Sequence, residues 1–156
     1  DNPNIDETKI EALITDKTKA IVVMHYAGIS CEMDAILRIA RKHKLYVIED
    51  AAACIGASYK GTPVGSFGHL AAFSFHETKN ITCGEGGMLV VNDRRFLKQA
   101  ETILNKGTNR ADFRRGKIKQ YEWIGLGSSY GLSNINAAVL YGQLLELNTV
   151  RQERVK

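Results

Sequence analysis

Proline occurs twice and cysteine three times in 156 residues. No apolar run approaches the ~20 residues that a bilayer span needs, and no signal-peptide pattern opens the chain, so a soluble protein without membrane partners is expected. Cys31, Cys54 and Cys83 contain no C-x-x-C pair and are odd in number. That argues against a disulfide framework and against a zinc knuckle, and it makes a reducing cytoplasm the expected location. There is no proline-rich linker and no internal repeat. With 14 glycines and 24% charged residues, the collagen-like, disordered and low-complexity classes are excluded.

What is present suits one compact α/β domain over residues 1–156, since 44% of the residues are hydrophobic. The chain opens on Asp1 rather than Met, and its last apolar periodic segment runs to Lys156 with neither a glycine cap nor a proline stop. A segment of a longer protein is therefore expected. The net charge of +4 is local: Lys106, Arg110, Arg114, Arg115, Lys117 and Lys119 stand against one acid, Asp112. By charge alone that run fits a solvated surface, a phosphate-bearing small ligand or a nucleic acid. No aromatic-interleaved basic motif accompanies it, which disfavours nucleic acid.

Along the chain, elements alternate. Asp6, Glu7 and Thr8 precede Ile10, Leu13 and Ile14 as a short amphipathic helix with acids in its first turn. Lys19–His25 is a run of β-formers without polar alternation, the pattern of a strand buried on both faces. Glu32–His43 sets Met33, Ile36, Leu37, Ile39 and Ala40 on one helical face, and Leu45–Glu49 is a second buried strand. Strand, helix and strand in that order form a βαβ unit with parallel strands. A β-turn is expected at Ser58–Thr62, strands at Leu70–Phe75 and Met88–Asn92, and a helix over Asp93–Lys106 with Phe96, Leu97, Ala100, Ile103 and Leu104 inward. A final helix begins near Ser133 and carries Ile135, Ala138, Val139, Leu145 and Val150.

In an open parallel sheet, ligands bind beyond the carboxyl ends of the strands. Here those ends deliver His25, Tyr26 and Gly28, then Glu49-Asp50-Ala51-Ala52, then Ser74, His76, Glu77, Thr78 and Lys79. A carboxylate and a lysine can thus converge over one sheet edge. The following Cys83-Gly84-Glu85-Gly86-Gly87 has the spacing of neither the P-loop nor the dinucleotide fingerprint. Each residue alone also admits a structural role: Asp50 as a cap, Ser74 as a backbone partner, Lys79 as a surface lysine, His25 as a satisfied core histidine.

The joint pattern is more specific. E-D-A-A at 49–52, G-x-P-V-G-S-x-G-H at 61–69 and F-S-F-H-E-T-K-N-I-T-C-G-E-G-G at 73–87 together resemble the DegT-type sugar aminotransferases, which are fold-type I pyridoxal phosphate enzymes. The resemblance covers almost the whole chain. The later N-K-G-T-N-R, R-R-G-x-x-x-x-Y-x-W and G-S-S-Y segments look like the branch that converts dTDP-4-oxo-6-deoxyglucose to its 4-amino sugar with glutamate as donor. The resemblance implies a three-layer α/β/α fold with a mostly parallel sheet. Four of seven strands belong to this stretch, which corresponds to the later part of the large domain, without its earlier part or the C-terminal small domain.

By the same resemblance, Lys79 forms the Schiff base with the cofactor aldehyde and moves a proton, which requires a lysine that can be neutral. Asp50 faces the pyridine nitrogen and holds it protonated. Ser74 and Ala52 contact the cofactor. Ser129 stands where relatives carry an Asn that reaches the phosphate from the neighbouring subunit of a homodimer with shared sites. His25, Lys106 and Arg110 are the substrate-binding candidates, and guanidinium groups of the basic run suit the diphosphate of a nucleotide sugar. Gly131, Ala53 and Met24 depart from the Arg, the Gln or His, and the Pro usual in relatives. A dehydratase is disfavoured because those members replace the Schiff-base lysine by histidine. The alternative is a non-catalytic binding or assembly module with relic site residues.

Overall fold

The computed structural model describes residues 3–155, with side chains through residue 153. Asp1 and Lys156, on which the expectation of a cut segment rests, lie outside them. The described residues form two compact units: the chain up to Asn92 together with the segment from Asn134 onward, and Asp93–Ser133.

The first unit is built on a sheet of β1 (Ala20–Met24), β2 (Tyr46–Asp50), β5 (Leu70–Ser74) and β6 (Gly87–Val91), in that spatial order. β1, β2 and β5 are mutually parallel and β6 runs antiparallel to β5. This is the mixed, mostly parallel sheet that was expected. α1 (Glu7–Ile10) is capped by the Asp6 side chain, which accepts from the Thr8 amide. α2 (Met33–His43) is the crossover between β1 and β2. It stops where Lys44 turns left-handed, its N–H bonding the carbonyls of Ala40 and Arg41. β3 (Ser58–Tyr59) and β4 (Thr62–Pro63) make the small hairpin at the expected turn.

The strands are covered on one face only. Ile21, Val23 and Val47 pack against Met33, Ile36 and Ala40 of α2 and Ile10 of α1. Phe73, Phe75 and Ile81 pack against Leu140 of α5 (Asn134–Leu145) and Leu147 and Val150 of α6 (Leu147–Val155). The expectation of a strand buried on both faces is therefore corrected for β1: Ile21 and Val23 are buried, but Val22 is 61% and Met24 55% exposed. Register places Met24, Asp50, Ala72 and Leu89 in one row across the sheet. That row belongs to the open face. The sequence is as apolar as a doubly covered sheet requires, yet the described residues supply helices to one side.

The final helix also differs from the expectation of a single segment. It breaks at Glu146, whose amide donates to the Gln143 carbonyl, so that α5 and α6 are separate. Ile135, Val139 and Leu145, expected inward, are exposed. Packing is carried by Val150, as expected, and by Leu140 and Leu147. Among the described residues no helix is long and apolar enough to cross a membrane.

In the second unit, Asp93 caps a short 3-10 turn at Arg94–Phe96 that runs into α3 (Leu97–Leu104). Leu97, Ile103 and Leu104 are exposed rather than inward. The basic run is not a plain loop, because Arg110–Arg114 forms the short helix α4. Gly107 anchors this unit: at φ 76° its N–H donates to the Thr102 carbonyl and its own carbonyl accepts from Ile124 and Gly125. A β-carbon on Gly107 would lie 2.1 Å from the Gly125 oxygen, so no other residue fits.

The loop at 64–69 in the first unit is equally constrained. A β-carbon on Gly68 would sit 2.8 Å from the Val47 carbonyl oxygen. Gly68→Ala is expected to destabilise the protein by about 2 kcal/mol, as overpacking against backbone generally does, read as a lowered urea midpoint. An unchanged midpoint would contradict the close approach.

Candidate active site

The centre of the strand-end region is a carboxylate that the sequence reading passed over. Glu49, the penultimate residue of β2, is 0% exposed. Its Oε2 is 3.1 Å from His25 Nε2 and accepts from the Gly65 amide at 2.8 Å. Its Oε1 accepts from the amides of Phe67 at 2.8 Å and Gly68 at 2.6 Å. Burial pushes the Glu49 carboxyl up, but the bonds from His25 and from the amides of Gly68, Gly65 and Phe67 outweigh it and hold it below the usual carboxylate range. The G-x-P-V-G-S-x-G-H motif thus acquires a physical reason. Gly65, at φ 92°, and Gly68 allow three amides to converge on one buried charge, while Asn92 Nδ2 binds the Gly65 and Gly68 carbonyls from the other side. The available signal was an acid in an otherwise apolar strand.

His25 is corrected from substrate contact to this network. Its side chain has no exposed surface. Nδ1 accepts the Cys31 amide at 3.1 Å, which leaves Nε2 as the nitrogen that donates to Glu49. Both ring nitrogens are occupied. The residue is the satisfied core histidine that the sequence also allowed.

Asp50, the next residue, points the opposite way because successive strand side chains alternate. It is half-buried on the open face, and its Oδ1 accepts the Ala52 amide at 3.1 Å. Ser74 ends the neighbouring strand, and its Oγ accepts the His76 amide at 3.3 Å. Asp50 pairs with Ala72, and Ser74 lies two residues further along the same face. Lys79 follows in a tight turn in which its N–H donates to the His76 carbonyl while His76 Nδ1 accepts from the Thr78 amide and hydroxyl. Ala27, Ala52, Ala53, Ser74, Thr78 and Lys79 line a cavity of about 200 Å³. Four of these lining positions carry small side chains, three alanines and a serine. The result is space beside one primary amine, of Lys79, and two hydroxyls, of Ser74 and Thr78.

The remaining candidates lie in the second unit. Lys106 and Ser129 are exposed; the Lys106 amide donates to the Ser128 carbonyl, and Ser129 pairs with Asn105 across an antiparallel bridge. Arg110 opens α4 with its guanidinium carbon 5.8 Å from the Tyr121 ring centre. Arg115 is committed elsewhere, in a two-pronged ion pair with Glu101. It is therefore removed from the diphosphate candidates of the basic run.

A lysine in the turn after β5, a serine at the end of that strand and a carboxylate at the end of the neighbouring strand suit a carbonyl-bearing cofactor held by its aldehyde and ring nitrogen. Comparison with known sequences decides the family. The pattern of the DegT/DnrJ/EryC1/StrS aminotransferase family matches residues 1–156. The chain belongs to this family. As a DegT-family chain it is 41% identical to the GDP-perosamine synthase of Caulobacter vibrioides over 97% of its own length and 40% of that protein. PseC of Helicobacter pylori, an aminotransferase of pseudoaminic acid biosynthesis, superposes with a TM-score of 0.85 at 34% identity, covering 94% of this chain and 38% of that one. The sugar aminotransferase homologue Spr1654 of Streptococcus pneumoniae, solved in its PMP form, has a TM-score of 0.84 at 26% identity, covering 97% of this chain and 44% of that one. The DegT chain therefore spans about 40% of the length of the curated relatives it matches. The family is pyridoxal phosphate-dependent, and the cavity's amine, hydroxyl and neighbouring carboxylate fit that group.

The depressed Glu49 carboxyl makes stability depend on pH with a definite sign. Because its folded pKa lies below the ordinary 4.5, the stabilisation is present above about pH 4.5 and is lost as pH falls through the folded value. The thermal midpoint of the wild type is expected to drop on acidification below that pH, and Glu49→Gln is expected to flatten the dependence. An equally steep acid limb in the variant would rule Glu49 out as its source.

Proposed function

We propose that the chain is the later part of the large domain of a pyridoxal phosphate-dependent transaminase. In this reading the amino acceptor is a nucleotide-linked 4-oxo-6-deoxy sugar, dTDP-4-oxo-6-deoxyglucose, and the donor is glutamate. The protein works in the cytoplasm as a homodimer with shared sites. The observation that carries the reading is the single cavity lined by Lys79, Ser74 and Ala52, beside the strand end that presents Asp50.

When bound, the cofactor supplies an electron sink that stabilises negative charge on the donor carbon. The chain's own residues do the rest. Lys79 would hold the cofactor through its primary amine and would serve as the group that takes and returns a proton. Asp50 would keep a proton on the pyridine nitrogen by its negative charge, and its Oδ1 accepts the Ala52 amide, which orients the carboxylate. Ser74 would hold the phosphate through its hydroxyl. The small side chains of Ala27, Ala52 and Ala53 leave room for a flat ring.

For the sugar nucleotide, Lys106 and Arg110 are the candidates for the diphosphate, as both are exposed and Arg110 is steadied by Tyr121. Ser129 takes the position from which relatives reach the phosphate of the partner subunit. The name of the Caulobacter relative supports a nucleotide-linked sugar as the substrate class. The choice of dTDP-4-oxo-6-deoxyglucose rests on the resemblance of the N-K-G-T-N-R, R-R-G-x-x-x-x-Y-x-W and G-S-S-Y segments within residues 105–144.

Incubation with pyridoxal phosphate, borohydride reduction and peptide mapping are expected to place the label on Lys79, and Lys79→Ala is expected to abolish transamination with the fold intact by circular dichroism. A label elsewhere, or retained turnover, would remove the assigned role, and no label at all would favour the non-catalytic module. Arg110→Ala is expected to raise KM for the nucleotide sugar about tenfold with a smaller change in kcat, as loss of a charge-assisted contact made in both ground and transition states does. An unaltered KM would take Arg110 out of the diphosphate site.

A further inference from the structure

Between the core and the cavity lies a group of buried polar residues that the reaction itself does not use. His25 and Glu49 are fully buried, they share one hydrogen bond, and every other polar atom they offer is taken by a different segment. The backbone of His25 is tied to the same place. Its amide donates to the Asp50 carbonyl at 3.1 Å, and its carbonyl accepts the Cys54 thiol at 3.2 Å. Two residues after it comes Ala27, at φ 52°, which lines the cavity. Immediately after Glu49 comes Asp50. The buried pair therefore grips the two strand ends from which the cavity wall and the ring-nitrogen carboxylate project.

We infer that Glu49 and His25 are positioning residues for Asp50: they set the register of β2 and the end of β1 so that the Asp50 carboxylate is held at one place on the open face. The inference rests on the reading of Asp50 given above. A slip of β2 by one residue would carry Glu49 out of reach of four donors and exchange the faces of Glu49 and Asp50. A buried carboxylate stripped of its donors is strongly destabilised, so the slipped register is closed. Other polar groups bear on the segment as well: the Ala51 amide donates to the Ala72 carbonyl at 2.9 Å, the Cys31 thiol to the Met24 carbonyl at 3.2 Å. None of these carries a charge. The charge that chooses the register is that of Glu49.

The test uses the holoenzyme that carries these residues, loaded with pyridoxal phosphate labelled with nitrogen-15 in its ring. In Glu49→Gln one oxygen becomes an amide that meets N–H donors. The variant is expected to bind the cofactor about tenfold more weakly, the scale on which outer supporting groups act, and its ring nitrogen is expected to lose its proton at lower pH by nitrogen-15 chemical shift. His25→Asn, which keeps a donor toward Glu49 and an acceptor toward Cys31, is expected to shift both readings in the same direction by less, and it serves in place of Glu49→Gln if that variant does not fold. In an Asp50→Asn background neither substitution should alter the ring nitrogen further, because the carboxylate through which they act is gone. A general loss of stability would lower affinity in both backgrounds equally. Unchanged affinity and ring titration in folded variants, or equal effects with and without Asp50, would overturn the inference and leave the transaminase reading standing. A wild-type protein that takes up no cofactor at Lys79 would overturn both.

Discussion

A single buried carboxylate organises the active edge of this protein. Bringing the Glu49 charge out of water costs several kcal/mol unless donors replace the solvent, and here four N–H groups do so. One comes from His25 at the end of β1 and three from the glycine-containing turn that precedes β5, and all converge on the end of β2. Each donor is useful only if its segment is where the structure puts it, so satisfaction of one charge constrains the geometry of all three. The same turn is held by steric limits of its own: a β-carbon would lie 2.6 Å from the Phe73 ring at Gly65 and 2.8 Å from the Val47 carbonyl oxygen at Gly68.

The alternation of a β-strand then divides structure from chemistry within one dipeptide. Glu49 faces the helical side and is used to hold the fold; Asp50 faces the open side and is free for a ligand. The same alternation separates Phe73, packed in the core, from Ser74, at the cavity. Asp50 and Ser74 accordingly share one face and one end of the sheet. Lys79 reaches the same cavity through a turn tied by His76 and Thr78 rather than through a strand.

Much of this was legible because it is local. The βαβ unit and the α2 face of Met33, Ile36 and Ala40 follow from periodicity, and Ser74 and Lys79 are close in the chain; the structure sets them with Ala52 around one cavity. What sequence periodicity misjudged were faces. Val22, Met24, Ile135, Val139 and Leu145 are apolar where the described residues leave them uncovered, since a hydrophobic pattern reports what a residue can bury against and not whether a partner segment is present. His25 was misplaced for a related reason: a histidine at a strand end looks the same in sequence whether it faces a ligand or a buried acid. Arg115 likewise resembled its basic neighbours until Glu101, distant along the chain, took its charge.

By itself, then, the sequence determined the element types, the family pattern and the residue kinds that can perform imine and proton-transfer chemistry, because these depend on side-chain identity and on separations of a few residues. Only the tertiary structure decided which of two adjacent acids is buried, which histidine nitrogen is occupied and which cation remains available. Those outcomes turn on contacts that motif spacing does not pair, such as Glu49 with Gly65 and Gly68, 16 and 19 residues away. No short-range pattern encodes them. The chain has two prolines and three free cysteines; its strand ends are held by hydrogen bonds to one charge rather than by covalent or conformational staples.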